Sequence, residues 1–445
     1  MFQDGRLARS LSLVFFPPES AWATTTRKSD VFDAFPNSTA ISKTQINRSR
    51  RAAMLGSGKR EILALPNRRI VRWALPASSV RGGPPPFSIM TLNVLNDIDR
   101  ADMEAWRFHM HRSHIESVRP SVLALQEVQA PARLWGPLLT HLGYQYLSGR
   151  KVGGQGDCVL VAWQSARWRQ VAGETVLVSE GDSQVAVMAV LDDVTGEAHP
   201  GHSAECRRLL VVAWHAKAGR TDEAEATRLK QVDLLSKRID AWTSQFGVAN
   251  GGATVWLGDF NAGPHSYGGR FPCLVMPHLL GTCGPHAAMG SSPQRWESAM
   301  VTAHLKLKEM VHTPPFLTSP ESSLLAAADA PLPLGRDVAY AVKGVDHLNH
   351  PLFTTCKVRA GVGFIAQTID HILIRSGECN DDDVPRVAPA LVVTGYKPCP
   401  SDDPESDLAP DYLPKEAVWG SDHLSVCVEV AWATRRAAAM GSPSL

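Results

Sequence analysis

Thr254-Val255-Trp256-Leu257-Gly258-Asp259-Phe260-Asn261 is the stretch on which the fold turns. An apolar run halts at a glycine and then presents an acid and an amide, as a buried strand does when it delivers polar groups to a sheet edge. Gly and Asn also mark ordinary turns, so Gly258-Asp259-Phe260-Asn261 gains meaning only if other strands end in groups that face it. Several do. Phe87 to Leu95 alternates apolar and polar residues and carries Asn93 near its end, and Ser121 to Glu127 ends in a carboxylate. Arg208 to Trp214 runs into His215, Thr368 to Ile374 opens on Asp370, and Trp419 to Val428 carries Asp422 and His423.

Helical spacing fills the gaps between these runs. Trp106, Met110, His114 or Ile115 and Val118 predict a helix over 105–118 that Pro120 stops. A second is expected over 131–142, and a long one over 221–246, capped by Thr221 or Asp222, with Leu229, Val232, Leu235, Ile239 and Trp242 as its stripe. Short strands are expected near Cys158 to Trp163 and Val185 to Leu191. His109, His111 and His114 do not share one helix face and read as surface or packing residues rather than a metal site.

The balance of 45 basic and 44 acidic residues in 445, a formal charge of +1, excludes a polyanion coat and leaves room only for a local basic patch. Eight cysteines without a Cys-x-x-Cys pair disfavour a structural zinc site and suit a reducing compartment. No apolar stretch reaches the roughly 20 residues that span a bilayer, so no membrane partner is expected. Residues 1–80 are Arg- and Ser-rich and poor in acids, either a mitochondrial transit peptide or a disordered basic extension of a cytoplasmic protein. Arg81-Gly82-Gly83-Pro84-Pro85-Pro86 is a stiff boundary that opens the folded part, 81–432. Within it, 264–341 loosens into Gly, Pro, Ser and Ala, with no period beyond Leu305-Lys306-Leu307, and reads as an insertion or the rim of a site. Asn380 to Asp383 reads as a solvated turn, 397–415 as a Pro- and Asp-rich loop, and 433–445 as a frayed tail.

Six strand edges thus offer Asn93, Glu127, His215, Asp259 with Asn261, Asp370, and Asp422 with His423. Oxygen donors suited to one hard cation, two histidines and spare carboxylates fit the magnesium-assisted hydrolysis of a phosphate ester. Leu92-Asn93-Val94-Leu95, Leu125-Gln126-Glu127-Val128, Gly258-Asp259-Phe260-Asn261, Ile369-Asp370-His371-Ile372 and Ser421-Asp422-His423-Leu424 occur in the order of the endonuclease/exonuclease/phosphatase superfamily, which the chain resembles over about 87–432. Trp106-Arg107, His215-Ala216-Lys217-Ala218 with Arg228, Gln231, Leu234 and Leu235, and Phe353-Thr354-Thr355-Cys356-Lys357 resemble its deadenylase branch, which holds nocturnin-like proteins and the carbon-catabolite-repressor deadenylases.

The resemblance implies an α/β fold, a four-layer sandwich of two mixed, largely antiparallel β-sheets flanked by helices. It implies that Glu127, assisted by the Asn93 side-chain carbonyl, holds Mg²⁺, with Mn²⁺ able to substitute. Asp259 is expected to orient or deprotonate the attacking water, and Asn261 to position it and a phosphate oxygen. His423, fixed and charged by Asp370, is expected to stabilise the charge building on the phosphorus oxygens. His215 is expected to contact the phosphate from the other side, and Asp422 to support it or the metal; Lys217 and Arg228 are candidate phosphate contacts, set against ordinary exposed or salt-bridged cations. Where the family has Thr and Tyr this chain has Trp214 and His371, expected to reshape the pocket. The implied activity is a 3′→5′ exoribonuclease removing poly(A), against a nocturnin-like 2′-phosphatase of NADP(H) and a silent RNA-binding or scaffold subunit. The substrate is then an RNA 3′ end or an adenine nucleotide. No leucine-rich repeat precedes Phe87, which favours a free-standing enzyme with no stable protein partner.

Overall fold

Strand parity does most of the architectural work. The computed structural model describes residues 71–72, 84–95, 101–129, 131–151, 157–178, 184–196, 207–249, 252–264, 274–281, 296–312, 354–359, 363–376, 391–397 and 421–432. All of them belong to one unit, Ile62–Leu445. Of the N-terminal extension expected over 1–80, Val71 and Arg72 are described and pair with Tyr396 and Gly395 at the edge of a sheet; the expectations for the rest of it, for Asn380 to Asp383, for the tail and for most of 264–341 and 397–415 lie outside the described residues.

In chain order the elements are β1 (Val71–Arg72), β2 (Phe87–Asn93), α1 (Ala101–Val118), β3 (Val122–Val128), a π-type turn Pro131–Trp135 leading into α2 (Gly136–His141), β4 (Tyr144–Arg150), β5 (Cys158–Gln164), β6 (Trp168–Leu177) and β7 (Val185–Asp193). There follow β8 (Arg208–His215), α3 (Asp222–Gln245), β9 (Ala253–Asp259), α4 (Val275–Leu279), β10 (Glu297–Ser298), α5 (Ala299–His312), β11 (Thr355–Arg359), β12 (Gly363–Gln367), β13 (Asp370–Ser376), β14 (Leu391–Lys397) and β15 (Val426–Trp432). The helix expected over 131–142 is therefore split, β4 and β6 are additional strands, and Leu305-Lys306-Leu307 belongs to a helix.

One sheet has the order β1-β14-β15-β2-β3-β5-β4 and the other β10-β13-β9-β8-β7-β6, with β11-β12 a separate hairpin. Both are mixed: β2 with β3 and β8 with β9 pair in parallel, whereas every other pairing is antiparallel. Alternate residues of each strand point to opposite faces. Ile89, Val122 and Ala124 of the first sheet meet Val211, Ala213, Val255, Leu257 and Ile372 of the second in the inter-sheet core. The intervening positions point outward: Met90, Leu92, Leu123 and Leu125 pack on Ile115 of α1 and Leu139 of α2, and Leu210, Val212, Trp214 and Trp256 pack on Val232, Leu235 and Ile239 of α3. The result is helix, sheet, sheet, helix, the expected four layers. Helix α3 is capped as expected, Thr221 Oγ1 accepting from Ala224 N–H at 3.2 Å.

Candidate active site

Register brings the chemistry together. His215 pairs with Asp259 across β8 and β9, and Asp259 pairs with Asp370 across β9 and β13, so the three form one row over neighbouring strands. Parity places that row on the face of Ala213, Leu257 and Ile372, so it is the polar end of the inter-sheet core. Asn93 closes it from the other sheet, its Nδ2 donating to Asp259 Oδ2 at 3.1 Å and to Glu127 Oε1 at 2.9 Å. The Asn93 carbonyl oxygen accepts from Leu95 N–H at 2.9 Å. The side chain thus turns its nitrogen, not the expected oxygen, toward the carboxylates.

Glu127 reaches the site by breaking the rule the other residues follow. Strict alternation would send it out with Leu123 and Leu125. A register shift between Leu125 and Val128 and a φ of 58° at Glu127 redirect it to Asn93. Bulges re-aim side chains in this way, and left-handed backbone at a non-glycine residue costs about 1–3 kcal/mol that the surroundings must supply. Asn261, also left-handed with φ 48°, donates its N–H to Asp259 Oδ1 at 2.8 Å and its Nδ2 to Ala216 O at 3.1 Å, tying the end of β9 to the loop after His215.

His423 stands on the opposite side of Asp259. Its Nδ1 lies 2.9 Å from Asp370 Oδ2, and its Nε2 lies 3.7 Å from Asp259 Oδ2 and 3.8 Å from Asp422 Oδ1. Burial alone would lower the pKa of this imidazole, but Asp370, Asp422 and Asp259 outweigh it and raise the pKa to about 10, so the ring is a cation at neutral pH. The Thr-Thr motif holds these parts. Thr354 Oγ1 accepts from the N–H groups of Ile369 and Asp370, both at 3.0 Å, and Thr355 Oγ1 donates to Asp422 O at 2.8 Å. Ser421 Oγ donates to Asn93 O at 2.6 Å and accepts from His423 N–H at 3.0 Å. Phe353 lies outside the described residues.

Asp259 is 1% exposed. Burial raises its pKa to about 6, with Asp370 and Glu127 adding to the rise and His423 and the Asn261 N–H opposing it. A carboxylate poised near neutrality is what a general base requires.

His215 Nε2 lies 3.6 Å from Asp259 Oδ2 and 3.8 Å from Glu127 Oε1. Behind it stands a residue that sequence reasoning missed: Lys151 Nζ lies 3.2 Å from His215 Nδ1 and 2.6 Å from Asp157 Oδ2. No period or motif marks Lys151; only the pairing of β4 with β5 reveals it.

Of the two candidate phosphate cations, Arg228 takes the salt-bridged alternative. It is 2% exposed, its Nε donates to Glu225 Oε2 at 2.9 Å, and its NH1 donates to Lys217 O at 2.7 Å and Gly219 O at 2.9 Å. Glu225 Oε1 in turn accepts from Leu274 and Val275 N–H. Arg228 therefore shapes the loop after His215 instead of facing a ligand. Lys217 is half-buried on that loop, its N–H donating to Gln231 Oε1 at 3.2 Å.

Trp214 and His371 leave the site alone. Both sit at outward positions: Trp214 packs on Trp256 and Phe260 at 5.3 and 5.2 Å, and His371 packs edge-on to Phe260 at 5.5 Å with its Nε2 3.0 Å from Ala262 O. The expectation that they reshape the pocket fails on strand parity. Of the α1 histidines, His109 is exposed, whereas His111 is buried and held to a pKa of about 4, chiefly by burial. His114 Nε2 meets Ser425 Oγ at 2.8 Å. All three stay outside the carboxylate cluster.

The donor set fits a divalent cation. Carboxylate oxygens of Glu127 and Asp259 lie within 4.8 Å of each other, as do those of Asp259 and Asp370. Burial is the main cause of the raised pKa of Asp259, and the nearby Asp370 and Glu127 carboxylates add a negative charge that a cation offsets. Asp370 is committed to His423, so Glu127, whose side chain is 21% exposed against 2% for Asp259, is the carboxylate best placed to hold an ion.

Comparisons with known proteins place this geometry. No curated protein matches the sequence. Among solved structures the fold is similar to ANGEL2, a 2′,3′-cyclic phosphatase in complex with adenosine-2′,3′-vanadate, at 16% identity and a TM-score of 0.50, over 82% of this chain and 98% of that one. It is also similar to the human Nocturnin catalytic domain with bound sulfate anion, at 19% identity and 0.48 over 83% and 99%, and to humanized D. rerio TDP2, at 13% and 0.45 over 78% and 98%. At such identities the likeness is one of fold. A family model described as Endonuclease/Exonuclease/phosphatase family matches residues 90–423, from the strand of Asn93 to His423 itself, and the chain belongs to that family.

Proposed function

We propose that this chain is a Mg²⁺-dependent 3′→5′ exoribonuclease that removes poly(A) from RNA. As a family member it is a metal-dependent phosphoric-ester hydrolase; the ion and the substrate are the proposal. The observation that carries it is the row His215, Asp259, Asp370, closed by the His423 cation on one side and Glu127 on the other. Asp259 takes a proton from the attacking water as the water oxygen bonds to phosphorus and the bond to the 3′ oxygen of the preceding nucleotide breaks, that oxygen leaving as a hydroxyl with a proton from solvent; the charge developing on the phosphoryl oxygens meets His423, held in place by Asp370. His215 addresses the phosphate from across the row, and Asn261 holds the His215 loop against Asp259. Glu127 would hold Mg²⁺, which would supply Lewis acidity and offset phosphate charge. The choice of an RNA 3′ end rests on the deadenylase-branch motifs, of which Thr354 and Thr355 brace Asp370 and Asp422.

The test is parallel incubation of purified protein and Mg²⁺ with 5′-labelled RNA bearing a poly(A) end, RNA of mixed 3′ sequence, RNA ending in a 2′,3′-cyclic phosphate, and NADPH. A ladder shortening through the poly(A) end supports the reading. Phosphate release from NADPH, or opening of the cyclic end, with the poly(A) untouched overturns it in favour of a nucleotide phosphatase.

A further inference from the structure

Lys151 follows β4 directly. Its side chain and that of Asp157 are 11% and 13% exposed, and the two form a 2.6 Å ion pair. Asp157 takes one side of the ammonium, and the other lies 3.2 Å from His215 Nδ1. An ammonium has hydrogens to give and no lone pair to accept with, so this contact requires a bare Nδ1. The ring proton of His215 then sits on Nε2, the atom 3.6 Å from Asp259 Oδ2 and 3.8 Å from Glu127 Oε1. The opposite tautomer would set N–H against the Lys151 ammonium and a lone pair against two carboxylates, two repulsions in a site where His215 is 6% exposed.

We propose that Lys151 is a positioning residue that fixes His215 in its Nε2–H form. His215 is thereby a hydrogen-bond donor to the substrate's phosphate and is removed from service as a metal ligand, which needs a bare nitrogen on that side. The part that concerns phosphate rests on the hydrolase reading above; the tautomer is a property of the protein alone.

Histidine-selective ¹⁵N labelling and long-range proton–nitrogen correlation spectra of the full chain test it, with His215→Gln identifying the ring by the signals it removes. The expected pattern is an unprotonated Nδ1 and a protonated Nε2, lost or mixed in Lys151→Met and restored in Lys151→Arg. Turnover in Lys151→Met is expected to fall about 10–100-fold, as when the partner that orients an imidazole is removed, with KM within about twofold, and Lys151→Arg to recover most of it. A proton on Nδ1 in the native protein, or an unchanged ring pattern in Lys151→Met, overturns the proposal. A rise in KM at constant kcat also overturns it, because Lys151 would then grip substrate itself. Should none of the tested esters be cleaved, the substrate assignment fails while the spectra still decide the tautomer.

Discussion

Replacing Gly258 with alanine attacks the opening stretch at its least conspicuous residue. Gly258 sits at φ +143° directly opposite Trp214 in the parallel pair of β8 and β9. A Cβ there would lie 2.0 Å from Trp214 O, 3.0 Å from its carbonyl carbon and 3.1 Å from its nitrogen. These are backbone atoms held by the sheet ladder and cannot swing aside. The backbone conformation costs an L-residue about 1–3 kcal/mol, and forcing atoms into filled space costs about 1–3 kcal/mol more. Gly258→Ala should therefore destabilise the protein by about 2–6 kcal/mol, read as a lower urea midpoint. Relief requires β8 and β9 to part, and they carry His215 and Asp259, so turnover should fall about 100-fold, the cost of a misplacement near 1 Å. Gly143→Ala is the control: φ is +82°, nothing lies within 4 Å of its added Cβ, and only about 1 kcal/mol should be lost. A Gly258→Ala protein with the midpoint of the Gly143→Ala control and undiminished turnover would refute the reasoning.

Other perturbations separate the roles of the remaining groups. Asp259→Asn should lower turnover at least about 100-fold, yet stabilise the metal-free protein: because burial lifts this pKa from 3.8 to about 6, the stability its protonated form retains at low pH is lost as pH rises through about 6. Removing the charge should return up to about 3 kcal/mol at pH 8, and a lower melting temperature at that pH would contradict the raised pKa. The rate against pH should climb as Asp259 deprotonates around 6 and fall toward about 10 as His423 loses its proton, with the acid limb moving to lower pH as metal is added; an acid limb indifferent to metal would count against the shared site. Glu127→Gln should keep the metal-free melting temperature while abolishing the heat of Mg²⁺ binding in calorimetry, and undiminished binding would remove Glu127 from the metal. Arg228→Met strands the buried Glu225 carboxylate and should cost about 3–5 kcal/mol, measured by urea unfolding; a loss confined to substrate affinity with stability intact would restore Arg228 as a phosphate contact.

The parts of this molecule legible in its sequence are those that obey a period. Strands β3, β8 and β9 are near-continuous apolar runs because they are buried on both faces, β2 alternates and β13 opens on its acid, and in each the polar site residue stands at one end of the strand where the pattern breaks. The edge strands β4 and β6 hide because one face is solvated. Trp168–Leu177 is mostly exposed and carries Arg169, Gln170 and Glu174 among its apolar residues, which reads as loop. Lys151 is invisible because its meaning depends on what β4 lies beside. Arg228 shows on the helix as a cation, and only three dimensions reveal that Glu225 is buried with it. The split at Pro131–Trp135 escaped because a π-type turn and an α-helix share nearly the same apolar spacing.

The same parity argument explains which departures from the family pattern the site tolerates. Trp214 adjoins His215, Gly258 adjoins Asp259, and His371 adjoins Asp370, yet each adjacent pair points to opposite faces of one sheet. Outward positions answer to the helix layer, where Trp214, Trp256 and Phe260 settle their own aromatic packing. Inward positions answer to the charge balance, in which Asp259, Asp370 and Asp422 surround the His423 cation while Glu127 looks toward solvent. Gly258 apart, where an added Cβ would meet the backbone of β8 itself, a bulky or polar substitution on the outer face changes packing energy without moving a proton donor or acceptor. A change at an inward position alters the field felt by every other group in the row, because burial leaves no water to screen it. Glu127 escapes this division: its left-handed backbone crosses from one face to the other, so the residue best placed to hold the ion is also the one whose placement depends on stored strain and not on period.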